Sequence, residues 1–407
     1  MRIVMITDVY FPRVNGVSTS IRTFVSELKK QGHRVTLIAP KYTGDGSAEE
    51  HGISEIIRMP SRRIPFDPKD RLMKPRLSAS HYRELAERQF DIVHIQTPFR
   101  AHYLGTKLAQ QLNIPVVETY HTYFEEYLHH YFRFFPTSWL RALARRYTRS
   151  QSDNVHALLV PSSAMYKVMV DYGVTTPMHI LPTGLDAAFF RHGDGERFRR
   201  KFKIDPDRPV LCHVGRSAHE KNIDFLLEML VLVRTAIPDI LLILTGEGPA
   251  RPHLETKTQT LGLSDNVRFI NYLDRDTELK DCYRAGDIFV FASRTETQGL
   301  VLLEAMALGV PVISTAVLGT IDILRPEKGA IIAEENLEDF SSKVIALLQD
   351  KSLRQVKRLE AIDYAVTWSA ESTTLRLIDF YNAVIDNQQT APLNTHGPAD
   401  NAPDRIH

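Results

Sequence analysis

Short apolar runs alternate along the chain with longer stretches in which apolar residues recur every three or four positions. This alternation is typical of βαβ units, in which buried parallel strands are joined by amphipathic helices. A continuous run such as LLIL at 241–244 predicts a strand covered on both faces. Because the pattern starts again in the second half, it predicts an α/β fold with two comparable halves.

The two halves contain similar sets of predicted elements. In the first half, strands are predicted at 3–8, 34–40, 55–60, 91–96, 114–120 and 157–162, and helices at 17–31, 79–89, 100–112, 137–151 and 163–172. In the second half, strands are predicted at 210–215, 241–246, 267–272, 287–292, 310–315 and 330–333, and residues 351–387 are predicted to be helical. Ligands of such sheets bind beyond the carboxyl ends of the strands, so we expect the site in the crevice between the halves.

A chain of 407 residues exceeds the size at which one core keeps growing, so two domains are expected. The boundary between them is predicted in the segment LPTGLD at 181–186, which follows the last strand of the first half. We expect an N-terminal domain over 1–182 and a C-terminal domain over 183–368. A last helix over 369–387 is expected to cross back to the N-terminal domain. Residues 388–407, rich in Pro, Asn, Thr and Asp, are expected to be disordered.

Composition describes an ordinary globular protein, with 43% hydrophobic and 24% charged residues. Two cysteines, Cys212 and Cys282, are too few for a disulfide framework and favour a reducing, cytoplasmic setting. No segment reaches the roughly 18 apolar residues of a membrane span. The apolar run at 3–6 is too short for a signal peptide and is better interpreted as a first strand.

The net charge is +1, but the charged residues are distributed unevenly between the two halves of the chain. Residues 1–182 contain 24 Lys and Arg against 16 Asp and Glu, and the remainder contains 26 against 33. A basic first half suggests an anionic partner for that half, although uneven solvated surfaces are common.

The segment 293–312, SRTETQGLVLLEAMALGVPV, places a polar turn between a predicted strand and a helix that begins near Gly299. The first amides of such a helix lack intrahelical acceptors, and a glycine lets a phosphate approach them. Glu296 lies in the turn and Glu304 in the helix, so the two carboxylates can reach different parts of one extended ligand. On spacing alone, a helix-dipole role for Glu296 and a surface ion pair for Glu304 remain alternatives.

A second segment, VGRSAHEKNID at 214–224, also joins a predicted strand to a helix. Arg216 offers a bidentate fork for phosphate oxygens, and Lys221 offers a mobile point charge. Cations fixed at this place can stabilise negative charge that develops on a bound phosphate group. Taken as an isolated pair, both are also typical of a protein surface.

Three shorter segments complete the set of candidates. TDVYFPRVNGVST at 7–19 contains Gly16 at a predicted helix start, and GEGPAR at 246–251 contains Gly246 and Gly248 after a strand. The latter lacks the third glycine of a dinucleotide fingerprint, so NAD binding is a weak interpretation. In ETYHTYFEEY at 118–127, His121 is either a structural or a site residue, whereas His94 is assigned to structure.

These segments together resemble the retaining glycosyltransferases of family 4, also called glycosyl transferases group 1, over about residues 2–385. The string at 293–312 matches that family's Glu-x7-Glu signature, and 215–221 matches its G-R-x-x-x-x-K motif. The resemblance implies the GT-B fold, in which two Rossmann-like domains with parallel sheets face an interdomain cleft. It also implies that Glu296 binds the donor sugar and Glu304 the ribose.

The resemblance assigns roles to two sets of residues. The implied catalytic residues are Glu296, His121, Arg216 and Lys221. The implied donor-binding residues are Gly16, Arg216, Lys221, Gly246, Gly248, Glu296, Gly299, Leu300, Val301 and Glu304.

The resemblance further implies that the sugar is transferred with retention of configuration. No carboxylate stands out as a covalent nucleophile, so front-face attack, with the diphosphate assisting deprotonation, is the working hypothesis. Two Asp-x-Asp sequences, at 205–207 and 274–276, lie apart from the phosphate-binding segments. Because two cations and a helix start already supply positive charge, we expect no metal and no other cofactor.

Residues 131–150 contain five arginines, several aromatic residues and no acidic residue. A basic amphipathic helix of this kind suits an anionic membrane surface. An ordinary helix with a solvated basic face and a nucleic-acid surface are alternatives, but no nucleic-acid module accompanies it. The candidate membrane-binding residues are Arg133, Trp139, Arg141, Arg145, Arg146 and Arg149.

Within the family, TETQGLV at 295–301 and TYHTY at 119–123 are similar to bacterial diacylglycerol glucosyltransferases. This similarity implies a nucleotide-diphosphate sugar, most simply UDP-glucose, a glycerolipid acceptor and peripheral association with the inner face of the cytoplasmic membrane. One alternative is the same chemistry on a soluble, lipopolysaccharide or phosphatidylinositol-type acceptor with another donor, such as GDP-mannose. A non-catalytic nucleotide-binding or membrane-binding module is the other.

Overall fold

The computed structural model describes residues 1–13, 15–42, 55–64, 67–74, 79–121, 137–190, 193–275 and 277–390. The expected disordered tail was placed one turn too early, because residues 388–390 still belong to the last helix. The rest of that tail, residues 391–407, lies outside the described residues.

The first α/β unit is built on a seven-stranded parallel sheet with the order β3-β2-β1-β6-β7-β8-β9, and a separate antiparallel hairpin consists of β4 and β5. Its strands are β1 (Arg2–Ile6), β2 (Arg34–Pro40), β3 (Glu55–Met59), β4 (Ser61–Ile64), β5 (Asp67–Met73), β6 (Ile92–Ile95), β7 (Val116–Thr119), β8 (Ala157–Val160) and β9 (Met178–Ile180). Its described helices are α1 (Gly16–Lys30), α2 (Ala79–Glu87), α3 (Arg100–Leu112), α4 (Thr137–Ser152) and α5 (Ser163–Asp171).

The second unit is built on a six-stranded parallel sheet with the order β12-β11-β10-β13-β14-β15. Its strands are β10 (Val210–Val214), β11 (Leu241–Thr245), β12 (Val267–Ile270), β13 (Ile288–Phe291), β14 (Val312–Ser314) and β15 (Ala330–Ile332). Its helices are α6 (Gly195–Lys201), α7 (Ile223–Ala236), α8 (Arg251–Thr260), α9 (Glu278–Ala285), α10 (Leu300–Ala307), α11 (Thr320–Leu324), α12 (Leu337–Gln349) and α13 (Lys351–Val366), and α14 (Ala370–Thr390) ends the described chain.

The strands of the second sheet are buried on both faces, as their apolar sequences predict. In β11, Leu241 and Ile243 belong to one core cluster, whereas Leu242 and Leu244 belong to another on the opposite face. Successive side chains of a strand point to opposite faces, so one strand of continuous apolar residues contributes to both cores. The expectation of two α/β units with parallel sheets is therefore confirmed.

Each predicted strand corresponds to an observed strand within a few residues at either end, but three strands were missed. The hairpin strands β4 and β5 consist mainly of polar and charged residues, and β9 is only three residues long. The predicted helical stretch 351–387 is interrupted at 367–369 between α13 and α14. Short or polar segments carry too weak a periodicity to be detected in the sequence.

The chain passes between the two units twice, and the two passages contact each other. The amide of Leu185 donates to the carbonyl of Trp368 at 2.7 Å, and the amide of Ala370 donates to the carbonyl of Leu185 at 2.9 Å. A Cβ atom at Gly184 would clash with the Cα atom of Ala370, so only glycine lets the two passages come this close. The outgoing and returning chains are thereby held together.

Helix α14 packs against the N-terminal sheet and α1. Its residues Leu377, Phe380 and Tyr381 share a core cluster with residues of β1, β2 and α1. His94, 1% exposed, joins Tyr381 Oη at 2.6 Å through Nδ1 and Thr119 Oγ1 at 2.7 Å through Nε2. Burial lowers the pKa of His94 to about 3, so the ring is neutral. The assignment of His94 to structure is confirmed.

Replacing Tyr381 by phenylalanine should lower the free energy of unfolding by about 1–3 kcal/mol, because a buried nitrogen of His94 then loses its partner. Chemical denaturation at neutral pH measures the change. The matched control is Tyr166→Phe, at a residue that is 37% exposed, where we expect a change within about 0.5 kcal/mol. Equal losses in both variants would show that the bond from α14 to His94 contributes nothing specific.

Candidate active site

Three loops of the C-terminal unit meet beyond the carboxyl ends of β10, β11 and β13. The amide of Gly215 donates to Thr245, and the amide of Ser217 donates to Glu247, both at 3.0 Å. A Cβ atom at Gly246 would clash with the carbonyl of Gly215, and one at Gly248 would clash with that of Ser217. These two predicted donor-binding glycines therefore let two loops pack backbone against backbone, and this packing positions Arg216.

Lys221 and Glu296 meet in this region, as the sequence predicts. Lys221 ends a short 3-10 turn, His219–Lys221, whose Glu220 carbonyl accepts from the amide of Arg294 at 3.2 Å. The Lys221 ammonium donates directly to Glu296 Oε1. The two side chains are 19% and 18% exposed, so the pair is shielded from bulk water yet remains accessible.

Arg216 is exposed on the loop that follows β10. Within the part of the chain that the structure describes, its guanidinium has no hydrogen bond and no ion pair. All of its donors are therefore available to a ligand, in contrast to the ammonium of Lys221.

Gly299 is the N-cap of helix α10, and no side chain among the described residues caps this helix start. Gly299 has a φ of +90°, and a Cβ atom there would lie 3.0 Å from Thr320 Cγ2, so both backbone conformation and space favour glycine. Leu300 and Val301 form the first turn and are half-buried. Because no side chain in the described part of the chain caps it, the first amides of α10 are available to an anion.

Glu304, unlike Glu296, is buried with its own partners. It is 1% exposed, pairs with the guanidinium of Arg275 and accepts a hydrogen bond from Tyr283 Oη at 2.8 Å. The alternative of a surface ion pair is therefore wrong, and the predicted ribose contact stays a prediction. Arg275 also lies 4.9 Å over the ring of Phe189.

Sequence reasoning missed Arg275, because the segment 274–276 was searched only for carboxylates that hold a metal. Asp274 Oδ1 instead accepts from the amide of Thr277 at 3.0 Å, and Asp205 Oδ1 accepts from the amide of Asp207 at 2.9 Å. The carboxylates of Asp274 and Asp205 thus stabilise local turns. In the described ranges, no three acidic, histidine or cysteine side chains form a potential metal site.

A chain of hydrogen bonds connects the turn before α10 to the N-terminal unit. Gln298 accepts from the amide of Thr183 and donates to its carbonyl, both at 2.8 Å. Thr183 Oγ1 in turn donates to Ser20 Oγ of α1 at 2.8 Å. The helix that starts at Gly16 and the turn that contains Glu296 are thereby held beside one another.

The glycine loop of the N-terminal unit ends at α1. Asn15 caps this helix, since its Oδ1 accepts from the amide of Ser18 at 2.9 Å. Gly16 is exposed. Apart from its two chain neighbours and the backbone of its own helix, no described atom would lie within 4 Å of a Cβ atom at this position. Open space next to this helix start suits the approach of a ligand, so the predicted role of Gly16 remains compatible with its position.

His121, in the N-terminal unit, contacts the turn before α10 that contains Glu296. Its carbonyl accepts from Thr297 Oγ1 at 3.4 Å, and its Nε2 lies 3.1 Å from Gln96 Oε1. Burial lowers the pKa of His121 to about 4, so the ring is neutral at pH 7. Residues 122–127, the remainder of this segment, lie outside the described residues.

The structure adds His213 to the candidates. It is 1% exposed and stacks beside Phe291, and its Nδ1 lies 3.2 Å from the carbonyl of Val290. Its Nε2 is buried without a hydrogen-bond partner in the described structure. A Cβ atom at Gly215 would lie 3.4 Å from this nitrogen, so it points toward the loop of Arg216. A histidine inside the apolar string VLCHV was the available signal.

Helix α4 carries most of the candidate membrane-binding residues. Trp139 is 75% and Leu143 58% exposed, while Ala144 on the opposite side is buried. Arg145, Arg146 and Arg149 are exposed, Arg141 lies in the helix, and Arg133 lies outside the described residues. The helix thus combines a packed face with an exposed face that is both apolar and basic. Across the described ranges, we find no helix with the length and apolar character of a bilayer span.

Two α/β units with parallel sheets form the fold of the GT-B class of glycosyltransferases, and the Lys–Glu pair and the start of α10 lie in the second of these units. The fold of the Anabaena protein HepE, solved in complex with UDP, matches with a TM-score of 0.75 at 15% identity, covering 94% of this chain and 100% of that one. This likeness confirms the fold that the sequence predicted.

Comparison of sequences identifies the family. The model described as Glycosyltransferase Family 4 matches residues 14–189, and the one described as Glycosyl transferases group 1 matches residues 194–364. The alpha-monoglucosyldiacylglycerol synthase of Streptococcus pneumoniae is 34% identical over 77% of this chain and 71% of its own length. A GDP-mannose-dependent alpha-mannosyltransferase of Corynebacterium glutamicum is 27% identical over 98% and 93%. The chain belongs to glycosyltransferase family 4 and is a glycosyltransferase.

Replacing Arg275 by glutamine should lower the free energy of unfolding by about 3–5 kcal/mol, because it leaves the buried carboxylate of Glu304 without its counter-charge. The double variant Arg275→Gln/Glu304→Gln should recover part of the lost free energy of unfolding. Chemical denaturation of the single and the double variant measures this recovery. Arg200, whose pair with Glu196 is 69% and 88% exposed, provides the control. Arg200→Gln should change stability by less than about 1 kcal/mol. Equal effects at both sites would contradict a buried, mutually dependent pair.

Proposed function

We propose that this enzyme transfers glucose from UDP-glucose to diacylglycerol or a related glycerolipid, with retention of configuration. The observation that carries the proposal is the ion pair of Lys221 and Glu296 beside the uncapped start of α10 at Gly299. A cation, a sugar-binding carboxylate and an anion-binding helix start in one cleft suit a sugar diphosphate.

Lys221 and Glu296 exchange partners when the donor binds. The diphosphate occupies the amides at the start of α10 and the free guanidinium of Arg216, and it attracts the ammonium of Lys221 away from Glu296. The released carboxylate of Glu296 then accepts hydrogen bonds from the sugar hydroxyls. In the empty site, the ion pair keeps both charges compensated, which avoids an isolated charge in a half-buried place.

The transfer step follows from the same groups. The bond between the anomeric carbon and the diphosphate oxygen breaks, and negative charge grows on the diphosphate near Arg216 and Lys221. The acceptor hydroxyl attacks from the face that the diphosphate leaves, and its proton passes to a diphosphate oxygen. Glu296 is occupied with hydroxyls in this scheme and forms no covalent bond. Positive charge comes from the protein, so we propose that no metal is needed.

His121 serves as a neutral hydrogen-bonding group. With Nε2–H donating to Gln96 Oε1, its Nδ1 is left as an acceptor for a donor-sugar hydroxyl. Its lowered pKa means that it remains an acceptor throughout the physiological range. In this proposal, the N-terminal domain (1–182) presents the acceptor, and the C-terminal domain (183–368) binds the donor.

Two observations support a lipid acceptor. A relative with 34% identity is named as a synthase of monoglucosyldiacylglycerol, which is a glucosylated lipid. Helix α4 presents Trp139 and Leu143 next to exposed arginines, as a helix in the membrane interface does. Each basic residue near an anionic leaflet adds about 1 kcal/mol of attraction. We therefore propose that the enzyme associates peripherally with the inner face of the cytoplasmic membrane.

The second candidate function uses another donor such as GDP-mannose and a soluble, lipopolysaccharide or phosphatidylinositol-type acceptor. The mannosyltransferase relative, which aligns with 98% of this chain, supports it. The Lys221–Glu296 pair is used in the same way in both functions. The donor base and the acceptor distinguish them, so an assay with a panel of nucleotide sugars and lipids decides between the two.

Incubation with UDP-glucose and vesicles that contain diacylglycerol should yield an α-linked glucolipid without added divalent metal and with EDTA present. Glu296→Gln and Lys221→Met should lower kcat by at least about 100-fold, since each removes a charge that acts on the transition state. Mass spectrometry identifies the product, and NMR gives the anomeric configuration.

The control for this assay is Arg294→Gln, two residues from Glu296, where the arginine pairs with Glu335 instead. It should retain near-normal turnover. A β-linked product would refute retention, and near-normal turnover of the Glu296 or Lys221 variant would refute the site. Transfer only from GDP-mannose would replace the first function by the second, and no transfer from any donor would leave a binding module.

The triple variant Trp139→Ala/Arg146→Gln/Arg149→Gln should bind phosphatidylglycerol vesicles at least about tenfold more weakly, because it removes the interfacial anchor and two charges. Vesicle sedimentation at low salt measures the binding, and binding by the unmodified chain should weaken as salt rises. Turnover of a short-chain, water-soluble diacylglycerol should be unaffected. Unchanged vesicle binding would remove α4 as the membrane contact.

A further inference from the structure

A cavity of about 340 Å³ opens at the edge of the C-terminal sheet opposite the candidate active site. It lies at the amino ends of the parallel strands, next to Asp287 before β13 and Pro311 before β14. The donor-site loops follow the carboxyl ends of β10, β11 and β13 at the opposite edge of the same sheet. The cavity is therefore separated from the donor site by the sheet itself.

Positive charge dominates the lining of this cavity. Its only lining carboxylate among the described residues is Asp287, which already accepts from the amide of Val210 at 2.9 Å and pairs with Arg199 at 3.4 Å. The lining cations are Arg199, Arg284, Lys351, Arg354 and Arg358. Four of these five cations face the cavity without a carboxylate partner in the described chain.

Arg199 donates through all three of its nitrogens to protein acceptors, mainly backbone carbonyls. Most donor hydrogens of the other four cations are unused within the described residues. Arg284 donates through Nη1 to the carbonyl of Leu308 at 2.9 Å, and Arg354 donates through Nη1 to the carbonyls that end α12. Within the described ranges, neither Lys351 nor Arg358 donates to any protein acceptor. A guanidinium has five N–H donors in a rigid fork, so the cavity presents many donors and few acceptors.

Like charges are held close together in this cavity. Burial and the neighbouring charge of Arg358 lower the pKa of Arg284 below its usual range. Arg358 lies across Gly309, where a Cβ atom would come within 3.2 Å of its Cγ and Nε atoms. Glycine with a φ of +71° thus lets Arg358 pack against the end of α10. Such crowding of cations is unfavourable unless an anion neutralises them.

We propose that this cavity is a second anion site, which binds a phosphate-bearing molecule independently of the donor. Arginine forks and an ammonium recognise phosphate oxygens by paired hydrogen bonds and charge. A volume of about 340 Å³ accommodates one small phosphorylated group. The phosphate belongs either to a free molecule, such as a diphosphate, or to the headgroup of an anionic lipid, and the chemistry of recognition is the same.

The test uses the full-length chain with Arg216→Gln/Lys221→Gln as background, so that the donor site contributes little to the signal. Isothermal titration with pyrophosphate measures binding by this background and by the same chain with Lys351→Gln/Arg358→Gln. The matched control adds Arg200→Gln/Lys357→Gln, which removes the same charge from α6 and α13 at residues that do not line the cavity. Unchanged melting temperatures show that all chains are folded.

We expect the cavity variant to bind pyrophosphate at least about tenfold more weakly than the background, and the control to remain within about twofold. A second arm measures binding of the same chains to phosphatidylcholine vesicles with and without phosphatidylglycerol. A loss confined to pyrophosphate identifies a free phosphate, and a loss confined to phosphatidylglycerol vesicles identifies a lipid headgroup. Equal behaviour of the cavity variant and the control in both arms overturns the proposal.

Discussion

The bridge formed by Gln298 and Thr183 is the contact on which the arrangement of the site depends. The side-chain amide of Gln298 pairs with both the amide and the carbonyl of Thr183, and both residues are 8% exposed. A two-sided bond of this kind fixes direction as well as distance. Because Thr183 lies where the chain leaves the N-terminal unit, the bridge sets the start of α10 against that unit. The contacts of Ser20 and His121 in the same region then follow from it.

The start of α3 in the N-terminal unit and the start of α10 in the C-terminal unit differ in whether a side chain caps them. In the N-terminal unit, the carboxylate of Asp8 accepts from the amides of Arg100 and Ala101 and so closes the start of α3. Burial nevertheless raises the pKa of Asp8 to about 6. In the C-terminal unit, no side chain of the described ranges caps the start of α10. A helix start that holds its own carboxylate is closed to an external anion, whereas a helix start without a cap leaves its first amides available to one.

The two glutamates of the signature have different physical states. Glu296 is paired with Lys221, and both side chains remain partly exposed. Glu304 is enclosed by Arg275 and Tyr283 and is 1% exposed, so loss of either partner leaves a charge that water cannot compensate. The two glutamates of the signature therefore differ in burial: Glu296 is partly exposed, whereas Glu304 is buried with its partners.

The sequence by itself determined the strand–helix alternation, the approximate limits of most elements, and the convergence of Lys221 with Glu296, because apolar periodicity and loop position after a parallel strand are local properties. It did not reveal the hairpin β4–β5 or the strand β9, whose residues are too polar or too few to show a period. Arg275 as the partner of Glu304, the orphaned nitrogen of His213 and the cation-lined cavity were decided by the tertiary structure alone. Each depends on residues far apart in the chain, and only the packing of helices and loops around the sheet determines which charges become neighbours and which are cut off from water.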